Sequence, residues 1–158
     1  MKKMVATLAC FLFLFGAVAT AAVDIEGGLI VCVGTDALQS VSDEWDKPGC
    51  VFHCLETSDE AVTELRAKIQ VAGCYGKVSI AKFDGQGLPY INNLVNLLLV
   101  GDGFNVSDSE AERVLAPYGL AVVNGREIVK PYPDEMDEWP QFLHGADNNC
   151  VAQDTVVG

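Results

Sequence analysis

Short apolar runs, separated by polar stretches punctuated with glycine, set the rhythm of this chain. Gly28 to Gly34 is continuously apolar and rich in β-branched residues, the composition of a strand buried on both faces. Val51 to Leu55, Val78 to Phe83, Leu94 to Val100 and Leu120 to Val123 repeat the signal. Between these runs the period lengthens. Thr35 or Asp36 caps a helix reaching about Trp45, stopped by Pro48-Gly49. Ser58 caps a second helix that runs to Ala72 and stops at Gly73. Asp59 and Glu60 suit the positive end of its dipole. Its Ala61, Val62, Leu65, Ile69 and Ala72 recur at helical spacing and are expected to face a sheet. Ser107-Asp108-Ser109-Glu110 is a capping-box pattern opening a third helix to about Ala116, broken by Pro117-Tyr118-Gly119. Gly85 to Asn93 reads as a loop and Asn124-Gly125 as a tight turn. Alternating strands and helices with short connections predict an α/β fold. The expected architecture is Rossmann-like and doubly wound, with a mostly parallel five-stranded sheet. Residues 23–130 form this domain.

Two of the runs end on acids. The strand Val51 to Leu55 is followed by Glu56, and the strand ending at Phe83 by Asp84. Ligands of parallel α/β sheets bind outside the carboxyl ends of the strands. Two carboxylates at successive strand ends therefore point toward one crevice and suit a nucleoside, one acid for ribose hydroxyls and the other for an adenine amine.

The flanks change the picture of the whole chain of 158 residues. Met1-Lys2-Lys3 is a basic n-region, Val5 to Val18 is nearly all apolar, and small residues at Ala17, Ala19 and Ala21 fit a cleavage rule. The apolar run is shorter than the ~20 residues of a membrane span. Residues 1–22 are thus read as a secretory signal peptide cut between Ala19 and Ala22, giving an exported protein, periplasmic or extracellular, with no stable membrane span after cleavage. Without Lys2 and Lys3, 8 basic side chains face 22 acidic ones, a net charge of −14. Such a surface repels phosphate, so no nucleic-acid partner is expected. Five cysteines remain: Cys32, Cys50, Cys54, Cys74 and Cys150. Cys32 and Cys54 read as small buried hydrophobes. Cys50 opens one strand and Cys74 lies just before the next, so if those strands are neighbours a bridge between the two is geometrically reasonable. Cys50-x3-Cys54 has no second pair, so no metal site is expected. After Lys130 the prolines at 131, 133 and 140 and the acidic run Asp134 to Glu138 read as a linker and loop rather than a metal site. His144 near Asp147 has no nucleophile placed beside it.

Several of these stretches together resemble class I S-adenosylmethionine-dependent methyltransferases. Glu56-Thr57-Ser58-Asp59-Glu60-Ala61-Val62 is similar to that family's acidic strand end and following helix. Phe83-Asp84-Gly85-Gln86-Gly87-Leu88-Pro89-Tyr90 is similar to its adenine-holding loop. Arg113-Val114-Leu115-Ala116-Pro117-Tyr118-Gly119 resembles its R-V-L-x-P-G-G turn, and Gly28 to Gly34 stands where its first glycine-rich motif belongs. The resemblance covers about residues 28–125 and implies S-adenosylmethionine as cofactor. It implies that Gly34 approaches the methionine end, that Glu56 binds the ribose, and that Asp84 with Gly85 contacts the adenine. Asp36 is implied to meet the amino group while repelling the carboxylate. The family's G-x-G-x-G keeps only its first glycine here: Asp36 and Leu38 stand at the other two, and Leu38 is expected to intrude on the ligand space. Cys32 and Asn96 replace acids common in the family, and the last two strands of the full sheet are expected to be missing.

Glu138-Trp139-Pro140-Gln141-Phe142 and Leu143 to Asn149 resemble the opening of the first blade of exported pyrroloquinoline-quinone-type (PQQ-type) propellers, which large bacterial proteins join to a methyltransferase-like domain. That implies residues 131–158 are a linker and the start of a propeller, with the propeller or a periplasmic protein as partner. Two functions follow as expectations: methyl transfer to an acceptor that the sequence does not name, with no catalytic base assigned, or a non-catalytic Rossmann-like binding or scaffold module. A nicotinamide dehydrogenase ranks last, because it needs three glycines opening the first helix.

Overall fold

The computed structural model describes residues 27–137, 151, 152, 154 and 155. The expected signal peptide and the propeller-like stretch Glu138 to Asn149 lie outside them. The strands are β1 (Gly28–Val33), β2 (Cys50–Glu56), β3 (Val78–Lys82), β4 (Val95–Val100), β5 (Leu115–Val123) and β6 (Arg126–Val129). The helices are α1 (Thr35–Ser40), α2 (Asp59–Val71) and α3 (Asp108–Val114), with a short 3-10 turn at Ser42–Glu44. One sheet joins all the strands in the order β3-β2-β1-β4-β5-β6. The first five are parallel and β6 is antiparallel to β5.

The expected doubly wound, Rossmann-like sheet is therefore present, with one correction to its size. Among the described residues it has six strands, not five. Asn124 (φ 51°) and Gly125 (φ 74°) both take left-handed backbone, which is the geometry of a two-residue hairpin, so the chain turns straight back into β6. Two boundaries also move. The first helix ends at Ser40 rather than near Trp45, and β5 starts at Leu115 instead of Leu120. Residues 116–119 loop out of the β4–β5 ladder where the register shifts between Val95 and Leu97.

Period-2 alternation divides the core between the two faces of the sheet. Ile30 and Cys32 of β1 join Phe52 and Cys54 of β2, Val78 and Ile80 of β3, and Leu38, Val62, Leu65 and Ile69 from α1 and α2. Val31 and Val33 point the other way, into a cluster with Leu55, Leu98, Val123 and residues Ala111 and Val114 of α3. Burial of Val62, Leu65 and Ile69 is worth roughly 1.5–3 kcal/mol each and docks α2 on the sheet. Ser58 Oγ accepts from the Ala61 N–H at 3.3 Å and fixes where that helix begins. No helix among the described residues is long and apolar enough to cross a membrane.

Cys32, Cys50, Cys54 and Cys74 are all free and buried, so the expected Cys50–Cys74 bridge is not formed. Both thiols sit within the first-face core as packing groups. No helix connects β3 to β4. The crossover is a coil over residues 83–94, and its Leu88, Phe83 and Tyr90 cover the second face in place of a helix.

Candidate functional site

The chain runs outward from β1 through β2 to β3, then returns to the other side of β1 to make β4. This reversal leaves a crevice at the carboxyl ends of β1 and β4, flanked by the loops after β3 and β4. Gly34 follows β1 at φ 97°, ψ 154°, a conformation open essentially to glycine alone. Its N–H donates to Leu55 O at 2.9 Å. A Cβ built on Gly34 meets Phe104 Cε2 at 2.6 Å, so the ring from the loop after β4 lies directly on this turn.

Glu56 is the one buried charged residue among those described, 7% exposed at the end of β2. Its Oε2 accepts from Thr35 N–H at 3.1 Å and Thr35 Oγ1 at 3.0 Å, and its Oε1 from Thr57 N–H at 2.9 Å. The carboxylate thereby ties the end of β2 to the first residue of α1. Asp84 sits on the neighbouring strand end, since Glu56 pairs with Lys82 and Phe83 N–H donates to Glu56 O at 3.0 Å. Its side chain is exposed and caps its own loop, with Oδ1 accepting from Gln86 N–H at 3.0 Å. Gly85 lies against Thr57, whose methyl is 3.5 Å from a Cβ built on the glycine. The two acids thus share one rim on adjacent strands, but Glu56 turns under the sheet toward α1 while Asp84 turns outward.

A cavity of about 320 Å³ opens between the loop after β3 and the loop after β4, lined by Phe83 and Gly85, the neighbours of Asp84, but by neither of these two acids. Val33 forms its floor, Phe83, Leu88, Phe104 and Val106 its apolar walls, and Gly85, Ser107 and Glu110 its polar parts. Phe83 and Phe104 stack at 6.2 Å with 26° between the ring planes. Of the residues the sequence assigned, Gly85 lines this cavity. Gly34 lies behind the Phe104 ring, Glu56 is beneath the turn, and Asp36 is exposed in the first turn of α1. The sequence offered no reason to single out Phe104. Glu110 was legible only as a helix cap.

Leu38 requires a correction. It does not intrude on the ligand space but is completely buried in the first-face core, where α1 packs on the sheet. The helical turn after Gly34 carries position 38 inward, so a large side chain fills the gap between helix and strand. Asn96 is likewise occupied within the sheet, where its Oδ1 accepts from Leu29 N–H at 3.0 Å. At the R-V-L-x-P-G-G-like turn, Tyr118 takes φ 63°, and a Cβ on Gly119 would meet Ala116 O at 2.8 Å and Val95 O at 2.9 Å. Only the second glycine of that motif is sterically demanded.

Nucleophilic chemistry finds no support in the thiols. Burial pushes the Cys54 thiol up to about 12, with the nearby Glu56 charge adding to the effect, and burial raises Cys32 as well. His53 and Tyr90 meet under the crossover loop, Tyr90 Oη lying 2.7 Å from His53 Nδ1. Burial lowers the His53 pKa and raises that of Tyr90, so the pair is neutral near pH 7 and serves as an anchor for the loop.

No protein-family model and no characterised protein sequence matches the chain. Solved structures do. A candidate S-adenosyl-L-methionine-dependent methyltransferase from Methanococcus maripaludis is 20% identical, with a TM-score of 0.52 over 61% of this chain and 47% of that one. An S-adenosylmethionine-dependent methyltransferase from Aquifex aeolicus is 21% identical, with a TM-score of 0.51 over 61% and 55%. Geranyl diphosphate methyltransferase in complex with S-adenosylmethionine is 14% identical, with a TM-score of 0.51 over 61% and 41%. The chain spans about half the length of these proteins, and what it shares with them is the fold.

Proposed function

We propose that this domain binds S-adenosylmethionine at the carboxyl rim of its sheet and serves methyl transfer. The observation that carries the reading is the cavity at the β1/β4 switch point, bordered by the loop that Asp84 opens, on a methyltransferase-type sheet. A fold alone does not assign chemistry, so the fit must rest on the residues. They suit the nucleoside half of the cofactor. Phe83, Leu88 and Val106 offer apolar walls for a flat ring, and Asp84 and Gln86 lie at the edge of the same loop. Glu56 uses three acceptor positions internally and keeps about one of its four for a ribose hydroxyl. Asp36 places a negative charge beside the Gly34 turn, favourable to an ammonium group. The methionine half must share its space with Phe104, whose ring has to rotate off Gly34.

The cofactor supplies an activated methyl group. The chain's own part is to orient that group and keep water away, which is positioning catalysis. The acceptor is held by parts of a site that the described residues do not define. Calorimetric titration with S-adenosylhomocysteine tests the reading: saturable 1:1 heat is expected, and Phe104→Ala, which uncovers Gly34, is expected to bind more tightly. Absence of heat in both proteins removes the proposal.

Export and a following propeller-type segment belong to the same proposal. They are supported by the n-region and apolar run of residues 1–22 and by the stretch Glu138 to Asn149. Fractionation of the expressing cell tests the first, and copurification with a periplasmic partner the second.

A further inference from the structure

The coil that replaces a helix between β3 and β4 forms one wall of the cavity, and something must hold it in place. Leu88 is buried and Tyr90 is half-buried within this coil. The holding groups come from α3. Arg113 Nε donates to Glu110 Oε2 at 2.8 Å and Nη2 to Glu110 Oε1 at 2.6 Å. Nη2 also donates to Leu88 O at 3.1 Å, and Nη1 to Tyr90 O at 2.7 Å and Asn92 Oδ1 at 3.0 Å. These five bonds use every N–H of the guanidinium. Glu110 Oε1 in turn accepts from Leu88 N–H at 2.8 Å, so both backbone groups of Leu88 are satisfied from α3.

Glu110 stands at the position of a capping box where its carboxylate is expected to return to the N-cap. Ser107 fulfils its half, with Oγ accepting from Glu110 N–H at 3.2 Å. The Glu110 carboxylate turns instead to the loop and to Arg113. Both side chains are mostly covered, 24% and 34% exposed, and Arg113 holds the Glu110 carboxyl below its ordinary value. A surface pair contributes little, but a bidentate fork that also saturates backbone carbonyls fixes geometry.

We infer that Arg113, paired with the cavity-lining Glu110, is a positioning residue for the nucleoside wall of the proposed site: it lies outside the cavity and holds the Leu88–Tyr90 segment, and with it the Leu88 wall, in place. The inference rests on the proposed cofactor reading and deepens it. The loop is not pinned by α3 alone, because the Tyr90–His53 contact holds its other side. Loss of the clamp should therefore loosen the wall without unfolding the domain.

The experiment measures S-adenosylhomocysteine affinity by calorimetry, backbone amide exchange at Leu88, and urea unfolding, in the wild type and three variants. Arg113→Met removes all five donors. Arg113→Lys keeps the charge but not the fork. The swap Glu110→Arg with Arg113→Glu keeps an ion pair on α3 but removes the acceptor of the Leu88 N–H and turns a carboxylate toward Leu88 O and Tyr90 O. Arg113→Met and the swap are expected to lose about tenfold in affinity and to expose the Leu88 amide. Arg113→Lys is expected to fall between them and the wild type, and the core to unfold cooperatively in all. Wild-type affinity in Arg113→Met, or in the swap, overturns the inference while leaving the cofactor reading intact. A Leu88 amide that stays protected in both overturns it as well. A wild type that binds no S-adenosylhomocysteine overturns the cofactor reading and the inference together.

Discussion

Replacing Glu56 by alanine separates two views of a strand-end acid. A carboxylate kept only for a ligand costs the free protein its desolvation, and its removal is neutral or stabilising. Here the carboxylate accepts three hydrogen bonds, two of them from Thr35 and one from Thr57. Charge-assisted bonds are worth about 1.5–3 kcal/mol each. Thr57 is an exposed residue whose N–H can turn to water once the carboxylate is gone, whereas the Thr35 donors lie where α1 leaves the Gly34 turn. Offsetting the recovered desolvation, the net loss for Glu56→Ala is about 3 kcal/mol. Glu56→Gln should lose less, because its amide oxygen still accepts while its NH2 faces donors. Thr35→Val, which deletes only Oγ1, should lose about 1 kcal/mol. Urea unfolding of the ligand-free proteins reads these differences directly. For a domain of this size Glu56→Ala should lower the midpoint by roughly 1.5–3 M. A midpoint equal to or above the wild type would refute the reasoning, since the turn would then owe nothing to the carboxylate. The same logic governs binding assays. Loss of S-adenosylhomocysteine binding in Glu56→Ala would mix the proposed ribose contact with turn collapse, whereas Thr35→Val leaves the carboxylate in place and frees an acceptor position.

Leu38→Gly removes a fully buried side chain and adds a helix-interior glycine, a loss of about 3–6 kcal/mol. Broad or missing cooperative unfolding is expected, and a folded variant with improved cofactor affinity contradicts the packing described. Gly119→Ala drives a methyl against two backbone oxygens and should cost about 2 kcal/mol. Tyr118→Gly relieves a left-handed backbone but loses the Tyr132 stack, 5.6 Å between centroids, and should stay within about 0.5 kcal/mol of the wild type. Thermal unfolding ranks the two, and a harmless Gly119→Ala would be inconsistent with the β4–β5 geometry. Burial lowers the His53 pKa below its usual 6.5. The unfolded chain therefore binds the extra proton first. His53 contributes stability that is fully present above 6.5 and declines as pH falls through that value toward the folded pKa. The unfolding free energy should drop between pH 7.5 and 5.5 in the wild type and less in His53→Gln; equal slopes in the two proteins would exclude His53 as the source.

Much of the fold could be read from the order of residues because its signals are local. Continuous apolar runs required strands buried on both faces, and helical spacing at Val62, Leu65 and Ile69 required a helix on a sheet. Ser58, Ser107 and Gly73 marked helix ends through bonds within a few residues. The two acidic strand ends likewise follow from strand order alone, as does their common rim. The rest depended on contacts distant along the chain. Which way a strand-end carboxylate turns is set by donors 21 residues away at Thr35, so Glu56 faces inward. Leu38 occupies a glycine position yet points into the core, because the packing of α1 on the sheet decides its direction. Glu110 matches a capping box locally, but Leu88 and Arg113 outcompete the N-cap for its carboxylate. Phe104 lies on Gly34 only because β4 returns beside β1. Neighbouring residues settled the elements; competition among partners brought together by the sheet settled where their side chains went.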